Sequence, residues 1–152
     1  MLTILKPNHA TTNAEITAFE SARSVRLPVT YKNFLLMSNG GTPIDVVYPI
    51  DGLALNPFGD IQVFFGIKAA APMPSLESVY DLYAGGVPHG IVPIADNGGG
   101  NYLCLDLRGS RERVVFWDKG HFWSTGTWRE KDLYAVADSF DQFLTLLRPN
   151  PY

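Results

Sequence analysis

The sequence predicts an α+β fold: a central, mostly antiparallel β-sheet with N-terminal helices and a C-terminal helix packed on it. Three observations carry this. Helical apolar spacing comes early, strand-like runs fill the middle, and one helical stripe closes the chain. That order does not alternate as βαβ units do, which argues against a doubly wound parallel sheet.

The elements follow in order. Thr12-Asn13-Ala14-Glu15 has capping-box spacing, and Ile16, Phe19 and Ala22 or Arg23 follow at helical intervals, so a first helix runs to about Val25. Pro28 suits the first turn of a second helix. Tyr31, Phe34, Leu35 and Ser38 share one of its faces, and Gly40-Gly41 end it by supplying left-handed backbone. Ile44–Ile50 and Ile61–Ile67 are rich in β-branched and aromatic residues and read as strands. Asp51–Asp60, with its Gly, Asn and Pro, reads as loop. Ser75 caps a third helix holding Leu76, Val79, Tyr80 and Tyr83, and Gly85-Gly86 stops it.

The second half reads as a meander. Its strands are Ile91–Ala95, then Tyr102–Leu107 with Leu103, Leu105 and Leu107 alternating against Tyr102, Cys104 and Asp106, then Val114–Trp117. A fourth strand is placed around Phe122 or Trp128. Ser139-Phe140-Asp141-Gln142 is a second capping box, and Phe140, Phe143, Leu144 and Leu147 form the stripe of a closing helix that Pro149 and Pro151 end.

At 152 residues, 46% of them hydrophobic, the chain suits one domain over 1–152 that folds without metal or disulfide. A lone Cys104 excludes an internal disulfide and CxxC zinc chemistry. The apolar stretch in Met1–His9 is broken by Lys6 and Pro7 and is too short for a signal peptide. No run is long enough to span a bilayer. The expectation is a cytoplasmic protein with no membrane partner.

The net charge of −3 lacks the basic face of a general nucleic-acid binder. Between Asn33 and Leu107 seven acids face one base, Lys68. From Arg108 to Lys131 six bases face three acids. This is either solvated charge spread over several faces or an acidic face that steers a basic partner.

The chemistry-bearing motifs are thin. Asp96-Asn97-Gly98-Gly99-Gly100-Asn101 leads into a strand and lacks Lys and hydroxyl, so it is no phosphate cradle. Asp96 and Asp106 are too few for a calcium loop. A hairpin connection, with glycines free to take positive φ, accounts for it. His9, His89 and His121 have no zinc-hydrolase spacing. Cys104 with His121 would make a nucleophile pair, but mid-strand a cysteine is ordinarily a small hydrophobe. No metal or cofactor is expected.

Several segments together carry a family likeness. Leu27-Pro28, Tyr31-Lys32-Asn33-Phe34-Leu35 and Asn39-Gly40-Gly41 resemble the opening motif of the SUKH superfamily, the Smi/Knr-like proteins. The run from Val92 to Asp106 resembles its central signature. Val114-Val115-Phe116-Trp117-Asp118 is similar to the strand that follows, and Ala137–Leu144 to its final helix. After the Trp-Asp pair many relatives continue with a His-Glu-like pair, whereas here Lys119-Gly120-His121 follows.

The resemblance implies an α+β fold, no shared catalytic centre, and binding to other proteins. In bacteria such a partner is often a toxin domain, for example a nuclease. In fungi it implies a scaffold in cell-wall signalling. The leading expectation is a non-catalytic immunity protein that binds and neutralises a toxin domain. The alternatives are an adaptor for a host protein and a small hydrolase using Cys104 or the Asp96 loop. The partner-contact candidates are Asp45, Tyr48, Asp60, Asp96, Asn97, Asp118 and Trp123, chosen because acids and turn aromatics make contacts.

Overall fold

The first ordered piece of the chain is a strand that the sequence pattern does not signal. In the computed structural model, which describes residues 2–53 and 57–151, β1 (Ile4–Lys6) pairs antiparallel with β2 (Thr42–Pro43). Between them lie α1 (Asn13–Arg23) and α2 (Val29–Ser38). The Thr12 hydroxyl accepts the Glu15 N–H at 3.2 Å, as the capping spacing requires. The Glu15 carboxylate faces the Thr12 backbone N–H, the Thr11 hydroxyl and Lys68, pairing with the last at 3.0 Å. Ser24, in left-handed backbone, ends α1. Replacing Thr12 with alanine is expected to lower stability by about 1 kcal/mol in urea unfolding, the usual cost of a lost N-cap.

Helix α2 ends on Asn39 at φ 50°, not on the glycines. Gly40 and Gly41 serve a close approach instead. A Cβ on Gly40 would lie 2.5 Å from the Phe65 carbonyl oxygen, and one on Gly41 would strike the Lys6 carbonyl.

The predicted strand Ile44–Ile50 contracts to β3 (Val46–Pro49). The expected loop Asp51–Asp60 holds a turn at its start and a strand, β4 (Phe58–Asp60), that pairs with β3; Ala54, Leu55 and Asn56 fall outside the described residues. Of Ile61–Ile67 only β5 (Val63–Phe64) is strand. Helix α3 (Leu76–Tyr83) starts on the Ser75 cap as expected, its hydroxyl accepting the Ser78 N–H at 3.1 Å.

The meander is β6 (Ile91–Asp96), β7 (Tyr102–Asp106) and β8 (Arg113–Trp117). Its fourth strand differs from the expectation. Phe122 lies in a short helix, α4 (Gly120–Thr125), Trp128 lies in the connection after it, and the strand is β9 (Leu133–Ala137). Both aromatics instead lay their rings on Trp117, at centroid distances of 5.4 and 5.3 Å. Helix α5 (Phe140–Leu146) and a short β10 (Arg148–Pro149), paired with β3, close the chain.

Among the described residues every pairing between the named strands is antiparallel, and the main sheet runs β5-β6-β7-β8-β9. All five residues of β7 are buried. Neighbours on a strand point to opposite faces, so both faces of the sheet centre are covered. The Phe140 ring stands 5.1 Å from that of Tyr31 and 5.5 Å from that of Phe34, which locks the closing helix onto α2.

Candidate functional site

Antiparallel pairing sends the loops after β6 and β8 to the same end of the sheet, because Tyr102 lies opposite both Asp96 and Trp117. Two turns meet there. The Asp96 carboxylate accepts the Gly98 N–H at 2.7 Å. The Asn97 side-chain oxygen accepts the N–H groups of Gly99 at 2.8 Å and Asn101 at 3.1 Å. Gly98 and Gly100 take φ of 80° and 90° to complete the reversal. The Asn101 side-chain oxygen then accepts the Lys119 N–H at 2.9 Å, tying this loop to the next. Asp118 accepts the Gly120 N–H at 3.0 Å and starts α4.

Trp123 stands on α4 with 79% of its surface exposed. Asp60, exposed, closes β4 two residues before Gln62, whose N–H bonds the Asp96 carbonyl at 2.8 Å. Asp60, Asp96, Asn97, Asp118 and Trp123 therefore share one end of the molecule. Each of Asp96, Asn97 and Asp118 also has a local scaffolding bond, so the turns are held in shape without a partner.

The remaining candidates behave otherwise. Asp45 is exposed before β3, and its two oxygens accept the Asn150 amide at 3.1 Å each, pinning the end of the chain. Tyr48 is a correction. It is 0% exposed, and a Cβ on Gly59 would collide with its ring. Strand alternation turned it into the core, and burial drives its phenol ionisation upward. It offers nothing to a partner.

The nucleophile reading meets the same obstacle. Cys104 is 0% exposed at the centre of β7, and burial pushes its thiol up, away from the reactive thiolate. Among the described residues no group of three or more His, Cys, Asp or Glu side chains could hold a metal ion. Among them no helix is long and apolar enough to cross a membrane.

Two features escaped sequence reasoning. The first is Lys119, only 7% exposed, whose ammonium donates to the Tyr83 hydroxyl at 2.9 Å and lies 3.7 Å from the Tyr102 ring centroid. The second is a charge network at the opposite end of the meander. Buried Asp106 accepts from Arg108 Nε at 2.9 Å and from Arg113, and Arg108 donates to Glu130 at 2.6 Å. Arg108, Arg111 and Arg113 line an open cleft of about 1030 Å³ there. The signal was present: an acid inside a strand pattern with arginine two residues on. The change of charge sign near Arg108 in the sequence thus becomes, in part, a separation between the two ends of the sheet.

A family model described as the SMI1/KNR4 family (SUKH-1) matches residues 10–146. The SPbeta prophage-derived uncharacterised protein YokK of Bacillus subtilis strain 168 is similar to this chain. It is 30% identical over 155 residues, spanning 92% of this chain and 76% of its own length.

Proposed function

This chain belongs to the SMI1/KNR4 family (SUKH-1), a family of protein-binding immunity and regulatory domains, and from that premise we propose that it is an immunity protein: it binds a toxin domain and covers its active site. The observation that carries the reading is Trp123, exposed on α4, whose start is braced by hydrogen bonds, at the end of the molecule that also holds Asp60, Asp96 and Asp118. A rigid aromatic supplies a large contact area at low entropic cost, and carboxylates around it favour a basic partner. A toxin that handles phosphates, such as a nuclease, presents that kind of basic face. The block is steric and electrostatic, and no bond is broken. A standard interface would bury about 1,600 Å² in total.

The test has two stages. A tagged chain is used to recover partners from lysate of the source cell, with mass spectrometry, and any toxin domain found is expressed with and without it. Growth restored by co-expression is the expected result; growth arrest despite co-expression sinks the proposal. Replacing Trp123 with alanine should weaken the complex at least 30-fold, a hot-spot loss of about 2 kcal/mol, while lowering the thermal midpoint by no more than the few degrees that one cation–π contact is worth. With carboxylates at the contact, the association rate should fall as salt rises; a salt-independent rate would remove the acidic part of the argument.

One feature favours the adaptor reading instead. An apolar groove of about 660 Å³ between α2 and α5 is lined by Leu2, Ile4, Phe34, Met37, Leu144 and Leu147, with Met37 87% exposed. Loss of partner binding in Met37→Glu with none in Trp123→Ala would move the contact to that groove.

A further inference from the structure

Lysine is seldom buried unless an acid pairs with it. Lys119 is buried, yet among the described residues no carboxylate lies at ion-pair distance from it. Its surroundings are aromatic. The ammonium sits 3.7 Å from the centroid of Tyr102, 5.0 Å from that of Tyr83 and 6.0 Å from that of Trp123. The ammonium donates a hydrogen bond to the Tyr83 hydroxyl at 2.9 Å, and that hydroxyl lies 3.4 Å from the Tyr102 hydroxyl. Ring faces carry negative quadrupole density, so together they solvate a cation on a side chain largely withdrawn from water.

The backbone says what this holds in place. Helix α4 has six residues and buries none of them. A helix so short has no stability of its own. Its start is tied down by backbone bonds, the Lys119 N–H to the Asn101 side chain at 2.9 Å and the Trp123 N–H to the Lys119 carbonyl at 2.8 Å, and by two side chains: Phe122, against Tyr83 and Trp117, and Lys119, against Tyr83 and Tyr102.

We propose that Tyr83, Tyr102 and Trp123 form an aromatic site for a primary alkylammonium, that Lys119 of the same chain is its resident ligand, and that this occupancy fixes the pose of the Trp123 indole. Lys119 is then a positioning residue for the contact end. The consequence for a partner rests on the immunity reading; the occupancy itself does not.

The experiment needs no partner, so its failure and that of the immunity reading are distinguishable. The full chain is labelled with 5-fluorotryptophan, and the Trp123 fluorine line is assigned with Trp123→Phe. In Lys119→Ala that line should move most of the way to its position in the denatured chain. The lines of Trp117 and Trp128, which pack on each other, should stay in place and report an intact core. n-Propylammonium replaces the atoms removed and should return the Trp123 line saturably, whereas n-propanol should not. Lys119→Met, which keeps the apolar stem, should behave like Lys119→Ala. A Trp123 line unmoved in Lys119→Ala, or equal rescue by n-propanol, overturns the proposal. So does a wild-type line in Lys119→Met, which decides the matter if the alanine variant fails to fold.

Discussion

Asn39→Ala is expected to lower the unfolding free energy by about 4 kcal/mol, read as a large fall in the urea midpoint at unchanged slope. Asn39 is 1% exposed. Its amide nitrogen donates to the carbonyls of His9 and Ile67, each at 2.8 Å. Its side-chain oxygen accepts the Ile67 N–H at 2.8 Å. One side chain thus joins the N-terminal segment, the end of α2 and the stretch between β5 and α3. Alanine would strand both buried polar groups of Ile67, at about 1–3 kcal/mol for each unsatisfied group. It would also have to hold φ 50°, which costs a residue with a Cβ about 1 kcal/mol more. Exposed His9 can turn to water, so its share is small. Asn39→Gly removes the backbone cost alone and should recover about 1 kcal/mol of the loss. A loss below about 1 kcal/mol in Asn39→Ala would mean that water replaces the amide freely.

Asn39 also marks where sequence reasoning stops. The Gly40-Gly41 pair was legible as a helix stop, and the stop is there, one residue earlier. What could not be read is that Asn39 makes it while the glycines admit carbonyls from Lys6 and Phe65, because those partners are distant in sequence. The caps at Thr12, Ser75 and Ser139 were legible because each acts within one helical turn. Strands β1, β4 and β10 were not. Each has two or three residues and exists only through pairing with a remote segment, and β10 even contains Pro149, tolerable at a sheet edge. Leu133–Ala137 was passed over for Phe122 and Trp128, since large aromatics suggest strands as readily as they cap the end of one.

The same limit governs the candidate site. That Asp96 and Asp118 were turn acids could be read locally, and so could the exposure of Trp123. That they stand together depends on the meander returning twice to one end. Tyr48 was misplaced because its short strand gave no indication of which face was inner. Lys119 was noted in the sequence only as a departure from the usual pattern after Trp-Asp. Its role becomes visible only when Tyr83, from another helix, is brought beside it.

Asp106→Asn should produce the second large effect, and one with a distinctive pH signature. Burial alone would raise the Asp106 carboxyl, but hydrogen bonds from Arg108 and Arg113 outweigh it and hold the group at about 2. A folded value below the unfolded one stabilises the protein above the unfolded value and loses that contribution as pH falls through the folded one. The window therefore runs from about pH 4 down to about pH 2. A gap of roughly two pH units is worth about 2.5 kcal/mol at neutral pH. Asparagine keeps the shape, removes the charge, and leaves two guanidinium groups facing an amide. Arg113 is half exposed and Arg108 retains Glu130, so water and that carboxylate limit the damage to about 2–3 kcal/mol. Urea midpoints of both proteins, followed from neutral pH downward, should converge as the wild type loses the contribution the variant never had. Carboxylates remote from the network titrate alike in both proteins, so the difference reports Asp106 together with Glu130, which shares Arg108 with it. A difference that stays constant down to about pH 2 would mean that the network holds its shape by packing, and that the charge on Asp106 contributes little.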